Sequence, residues 1–186
     1  MIIGLCGYSR SGKDTAADVL VDNFGFKKYH LAQTMKDCLG LIFGWDADYI
    51  ENHKEEIDPT FGISPRQVLR AFGTEFAQQT LCNMFPQFNE KVGRKLWIYS
   101  LLAQIPLDQD SVIADVRFLH EAEEIKNAGG IIVRVGRPGY PVDLSHGSER
   151  EIADIKWDHL ITNSGDLQEY KSLVFEWATW NLIKGL

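Results

Sequence analysis

The stretch that decides the architecture is Ile2-Ile3-Gly4-Leu5-Cys6 followed by Gly7-Tyr8-Ser9-Arg10-Ser11-Gly12-Lys13-Asp14-Thr15. Ile2–Cys6 is an apolar run of strand length with no polar alternation, the pattern of a strand covered on both faces of a parallel sheet. Glycines at 7 and 12 bracket a break. From Lys13 to Phe24 the apolar residues Ala16, Ala17, Val19, Leu20 and Phe24 recur at helical spacing, and residues 23–25 carry a stop signal. In a strand, glycine loop and helix of this kind, consecutive backbone N–H groups can turn inward around phosphates. The positive end of the helix lies at the same point, and Lys13 can reach it. The pattern is that of a P-loop with one departure: Asp14, then Thr15, stands where a Ser or Thr ordinarily holds Mg²⁺. Two readings of Asp14 stand side by side, a carboxylate that helps hold the metal and an acid favoured by the dipole of a first helical turn.

Outward from this unit, short apolar runs keep alternating with helical patterns, which implies an α/β fold. Strands are expected at 27–31, 111–116 (SVIADV), 131–135 and 159–162, and helices at 34–43, 88–104, 120–128 and 167–183. A further helix opens at Ser64-Pro65, with serine as cap and proline in the first turn, and runs to about Cys82. Residues 45–62 read as an acidic, irregular, mobile stretch, and residues 137–148 as a proline- and glycine-bearing surface loop.

Composition narrows the function. With 186 residues, 45% hydrophobic and 24% charged, the chain is globular and of a length for one core. Lysine and arginine number 19 against 26 acids, a net charge of −7, which argues against a surface that embraces nucleic acid. No apolar run approaches membrane length and no signal-peptide pattern opens the chain, so neither a membrane nor a secreted setting is expected, and the cytoplasm is. Cys6, Cys38 and Cys82 are odd in number and form no CxxC, which predicts reduced thiols. His146, Ser148 and Glu149 lack a GxSxG elbow and are not read as a triad. No HExxH, EF-hand or Cys/His pattern is present, so the one metal expected is carried by a nucleotide.

Asp115 and Arg117 end the run 112–114 and, two apart in an extended segment, reach the same side. In a doubly wound sheet they would meet the P-loop in the crevice beyond the strand ends, Asp115 near Mg²⁺ and Arg117 on phosphate; a plain ion pair at a strand end is the alternative. Glu121 follows one helical turn on. Arg66 and Arg70, four apart, form one basic helix edge with Gly73 beside it, while Leu69, Phe72 and Phe76 are expected on the core face. Two guanidiniums can grip a phosphate; a solvated face explains them too. Lys36-Asp37 reads by itself as a surface pair.

Taken together, RSGKDT (10–15), LAxxxKD (31–37), Ser64, Arg66 and Gly73-Thr74, DxR (115–117) with His120-Glu121, VxRPG ending at Gly139 and ITNxG (161–165) resemble the bacteriophage-type deoxynucleoside monophosphate kinases of the P-loop nucleoside monophosphate kinase superfamily. That resemblance implies a three-layer α/β/α P-loop kinase fold with a central parallel sheet. It implies one domain over 1–186, with a helical acceptor-binding insertion at about 32–107 and a lid at about 137–150. It implies transfer of the ATP γ-phosphoryl group, with Mg²⁺, to the 5′-phosphate of a deoxynucleoside monophosphate. Arg10, Ser11, Gly12, Lys13, Asp14 and Thr15 would cradle ATP, Arg137 would deliver charge on lid closure, and Thr162 and Asn163 would lie near adenine. Lys36, Asp37, Arg66, Arg70, Gly73, Thr74 and Trp97 would surround the acceptor, with Glu121 between the nucleotides. Lys13, Asp115 and Arg117 would be catalytic, and Asp14 and Asp115 would hold the metal. Its partners would be small nucleotides, with homodimerisation open and the host cytoplasm as location if phage-encoded. Two rivals stay open: the same fold with another acceptor, such as dephospho-coenzyme A or phosphomevalonate, and a regulatory P-loop protein that binds nucleotide without transferring phosphate.

Overall fold

In the computed structural model, which describes residues 1–141 and 150–183, the run Ile2–Cys6 forms β1 in the middle of a five-stranded, all-parallel sheet. The other strands are β2 (Lys27–Tyr29), β3 (Ser111–Val116), β4 (Ile131–Gly136) and β5 (His159–Thr162), in the order β2-β3-β1-β4-β5. Helices follow as α1 (Lys13–Phe24), α2 (Leu31–Phe43), α3 (Ala47–Asn52), α4 (Pro65–Arg70), α5 (Leu81–Met84), α6 (Pro86–Lys91), α7 (Leu96–Leu102), α8 (Leu119–Asn127) and α9 (Leu167–Ala178). A π-helical run, Ala71–Thr80, joins α4 to α5, and another, Thr179–Ile183, follows α9. The described residues divide into two compact units, Met1–His30 with Ile105–Leu186, and Leu31–Gln104.

In the first unit the pleat sends Ile3 and Leu5 to one face, where they pack with Ala16, Ala17 and Leu20 of α1 and Val174 and Ala178 of α9. Gly4 faces the other side, where α8 comes so close that a Cβ would lie 2.9 Å from the Ile125 side chain. Three layers result, α/β/α. Cys6 is wholly buried, and burial pushes its thiol up to about 11. All five strands run the same way, so their carboxyl ends, and the loops that leave them, share one edge. β1 pairs Gly4 with Ile113 of β3 but Cys6 with Val116, a one-residue slip that accompanies the end of pairing beside Asp115.

In the second unit, Ser64 caps α4 as its sequence predicts: its Oγ accepts from Gln67 N at 3.3 Å and the Gln67 side chain accepts from Ser64 N at 2.9 Å. Three expectations change. The stretch 45–62 is not irregular throughout, since Asp46 caps α3 and Trp45 and Ile50 are buried. Its organiser is buried Asp58, which accepts from Trp45 Nε1 (2.9 Å), Tyr49 Oη (2.8 Å), Thr60 N (2.8 Å) and Phe61 N (3.1 Å). The single helix expected at 88–104 is broken, with Pro86 opening α6 and a short 3₁₀ turn, Gly93–Lys95, preceding α7. The helix from Pro65 goes over to π winding at Ala71, which shifts the phase of every later side chain. Phe76, placed on the core face by 3.6-residue spacing, is instead 42% exposed.

Candidate active site

The loop after β1 is fixed by its glycines. Gly7 has φ 147°, and a Cβ there would lie 2.3 Å from the Val135 carbonyl oxygen in β4. Gly12, at φ 108°, lies so near Asn163 and Tyr170 that a Cβ would be 2.8 and 2.9 Å from them. Those two side chains brace the loop from outside: Asn163 Nδ2 donates to Ser11 O (2.9 Å) and Tyr170 Oη to Gly12 O (3.1 Å). Asn163, expected by resemblance near adenine, thus has its amide on the loop itself. Tyr170 was not singled out in the sequence; its signal is an aromatic residue on the first turn of α9 after the Asp166 cap.

Lys13 is 8% exposed and its Nζ donates to Gly7 O (2.8 Å) and Tyr8 O (2.9 Å), which folds the ammonium back over the loop. Ser11 is 3% exposed, and its hydroxyl, inside the turn beside Gly7, finds no hydrogen-bond partner among the described residues. A buried hydroxyl left unpaired in this way costs about 1–3 kcal/mol, and an acceptor such as a phosphate oxygen would satisfy it. The loop borders a cleft of about 340 Å³ that brings together Arg10, Gly12, Lys13, Asp14, Thr15, Arg137 and Asn163, with Gly165, Leu167 and Tyr170 as additions. Ser11 and Thr162 do not line it. Arg137 donates to Arg10 O (3.2 Å) and lies 4.8 Å over the Tyr140 ring, while Arg10 reaches the Tyr140 hydroxyl at 3.4 Å and holds it below its ordinary pKa. Most of the expected lid, residues 142–149, which includes His146 and Ser148, lies outside the described residues.

On the other side of the loop, Asp14 and Asp115 flank one imidazole. His30 Nε2 is 3.9 Å from Asp14 Oδ1 and its Nδ1 is 3.9 Å from Asp115 Oδ2. Asp14 also pairs with Lys28 at 3.1 Å. Lys28 and His30, two apart at the carboxyl end of β2, were missed; the signal was the neighbouring place of β2 beside β3. Two carboxylates are the oxygen donors that Mg²⁺ takes, so the side chains suit that ion. Among the described residues, no three His, Cys, Asp or Glu side chains gather into a metal site of their own.

Arg117 is exposed at the start of the β3–α8 turn. Its backbone N–H and that of Phe118 donate to Glu121 Oε2 at 2.8 and 3.0 Å, so Glu121 is placed as the cap of α8. Burial pushes the Glu121 carboxyl up to about 8, against the pull of those two donors. Its native pKa exceeds the ordinary value, so its stabilisation is complete below about 4.5 and is lost as pH rises toward 8. The melting temperature should therefore fall between about pH 5 and 8, and Glu121→Gln should flatten that slope; parallel slopes in thermal melts would contradict the assignment.

In the second unit, Lys36 pairs with Glu51 (3.1 Å), and Asp37 accepts from Gln33 (2.7 Å). Arg66 is paired with Glu55. Arg70 and Thr74 are exposed, but Gly73 is buried against α2, where a Cβ would lie 2.6 Å from Met35 Sδ. Gly73 therefore serves helix packing and does not lie open beside the arginine edge. Its carbonyl accepts from Trp97 Nε1 at 2.9 Å, which joins two of the expected acceptor residues.

The fold is shared with solved structures: shikimate kinase from Aquifex aeolicus (16% identity, TM-score 0.50, 97% of this chain and 98% of that one). A second match is TT1252 from Thermus thermophilus (15% identity, TM-score 0.53, 98% and 97%). The sequence profile described as deoxynucleotide monophosphate kinase matches residues 1–58 and 47–174. The chain belongs to the deoxynucleotide monophosphate kinase family. A protein of Acanthamoeba polyphaga mimivirus provisionally given that name is 33% identical, with 94% of each chain covered. The deoxynucleotide monophosphate kinase of Enterobacteria phage T4 is 24% identical over 93% of this chain and 96% of its own. Membership in this kinase family makes the chain an enzyme, and among the three readings left by the sequence it selects phosphorylation of a deoxynucleoside monophosphate.

Proposed function

We propose that the chain transfers the γ-phosphoryl group of ATP, bound with Mg²⁺ at the Gly7–Thr15 loop, to the 5′-phosphate of a deoxynucleoside monophosphate. The observation that carries the reading is the loop itself, with Lys13 over it, the unpaired Ser11 hydroxyl inside it, and Asn163 and Tyr170 bracing it. Arg10, Ser11, Gly12, Lys13, Asp14, Thr15, Arg137, Thr162 and Asn163 are proposed for ATP, Lys13, Asp115 and Arg117 for catalysis. A phosphate monoester has a second pKa of about 6 and is already deprotonated at neutral pH, so the attacking oxygen needs no strong base. The chain's task is to neutralise two polyanions and align them. Lys13, Arg117 and Arg137 supply positive charge. Asp14 and Asp115 would hold Mg²⁺, which supplies charge neutralisation on the phosphate oxygens.

The Leu31–Gln104 unit is proposed as the acceptor-binding part of a single kinase domain, through Lys36, Asp37, Arg66, Arg70, Thr74 and Trp97, with Gly73 packing α2 against the run that carries Thr74. Glu121 would set the Arg117 turn, and residues 137–150 would be the lid. Among the described residues no helix is long and apolar enough to cross a membrane; we place the enzyme in the cytoplasm, that of the host if it is phage-encoded, with small nucleotides as its partners.

The direct test is incubation with Mg-ATP and each deoxynucleoside and ribonucleoside monophosphate in turn, with products separated by anion exchange. A diphosphate formed from a deoxynucleotide supports the proposal, and ADP formed equally without acceptor refutes it. Arg66→Ala should raise the acceptor KM or lower kcat about ten-fold or more, the range of a charge-assisted contact, with little change in ATP affinity. An equal loss of ATP binding would contradict an acceptor role.

A further inference from the structure

Two of the three cations proposed for the acceptor, Lys36 and Arg66, are already matched with acids from one short segment. Lys36 Nζ lies 3.1 Å from Glu51 Oε2 at the end of α3, and Arg66 is paired with Glu55 just beyond it. Lys54, between the two acids, ties the segment to α4: its carbonyl accepts from Arg66 N at 2.9 Å, while its ammonium sits 3.6 Å from Glu51 Oε1. The Lys36 contact holds the Glu51 carboxyl below its ordinary range. The acids are largely exposed, Glu51 at 58% and Glu55 at 67%, so these pairs are cheap to open.

We infer that Glu51 and Glu55 are built-in counter-anions that compete with the acceptor phosphate for Lys36 and Arg66, and so weaken substrate and product binding alike. The inference rests on the proposed acceptor role of those two cations. When the phosphate arrives, each carboxylate is displaced into water, where its exposure makes it readily hydrated. After transfer, the phosphate beside the cations has become the bridging α-phosphate of a diphosphate, with one negative charge in place of two. Glu51 and Glu55 then recover their partners and the diphosphate leaves. A site of this type lowers apparent affinity by the fraction of time its cations are paired internally, by the same factor for every ligand that must displace the same acids.

That equality is the signature to test. Steady-state kinetics on Glu51→Gln, Glu55→Gln and the double variant should show the acceptor KM and the inhibition constant of the deoxynucleoside diphosphate product falling together. Each substitution should give about 1.5- to 5-fold, the range of an exposed ion pair. The ATP KM should stay unchanged, and kcat should fall where product release limits turnover. Thermal melts confirm that the variants are folded, as isosteric exchange of exposed acids allows. An acceptor KM that is unchanged or raised in folded variants overturns the inference, because acids that merely position Lys36 and Arg66 would give that result. Arg66→Ala separates the two failures. If it raises the acceptor KM while the glutamine variants lower nothing, the counter-anion role alone is wrong; if Arg66→Ala also leaves the acceptor untouched, the acceptor reading fails with it.

Discussion

Lys13→Met should lose at least about 10²–10³ of turnover, the range for removal of one preorganised donor at a site of developing charge, while the protein stays folded. Methionine reproduces the length and apolar stem of lysine, so the packing of α1 on the sheet is kept. The ammonium is not replaced, and with it goes the charge that can move from Gly7 O and Tyr8 O, at 2.8 and 2.9 Å, onto a phosphate. Those carbonyls lose a donor, which should lower stability by about 1–3 kcal/mol at most. Rapid-quench measurement of single turnover, with a thermal melt alongside, checks both parts. Near-normal chemistry in a folded variant would remove the loop from the mechanism.

The second large effect is on folding. Gly7→Ala places a methyl group 2.3 Å from a carbonyl oxygen of β4 and 2.9 Å from Ser11 Oγ, at φ 147°. The obstacle is backbone in the interior of the sheet, so no side-chain rotation relieves it. Strain of about 1–3 kcal/mol for the disfavoured backbone adds to about 1–3 for overpacking, and nucleotide binding should be lost with the loop's shape. Gly129→Ala is the internal comparison: its φ is 80°, but no atom lies within 4 Å of the new Cβ, so only the strain remains. Urea denaturation of both variants measures the difference, and equal midpoints would refute the packing argument.

What the sequence made legible was whatever depends on neighbours along the chain. Ile2–Cys6, Lys13–Phe24, Ser111–Val116 and His159–Thr162 were bounded correctly because short apolar runs and a helical stripe end at glycine, asparagine or charge. The loop and its lysine were legible for the same reason. His30 was not, because its meaning comes from β2 lying beside β3, an adjacency made by residues more than eighty positions apart. Tyr170 and Asn163 reach the loop across about 150 positions. Asp58 read as one acid among many until Trp45 and Tyr49 closed on it. The phase of Phe76 was missed for a different reason: periodicity assumes 3.6 residues per turn, and Ala71–Thr80 does not have that winding.

Cys6, directly before the loop, gives the enzyme a chemical property unrelated to phosphate. A thiol reacts with oxidants and electrophiles as its thiolate, and the fully buried Cys6, pushed up to about 11, has almost none at neutral pH. A sulfenic acid or mixed disulfide at that position would wedge bulk between β1 and its neighbours and spoil the turn that begins at Gly7. The sheet that shapes the loop thus also keeps this one thiol, at the loop's root, away from peroxide and glutathione.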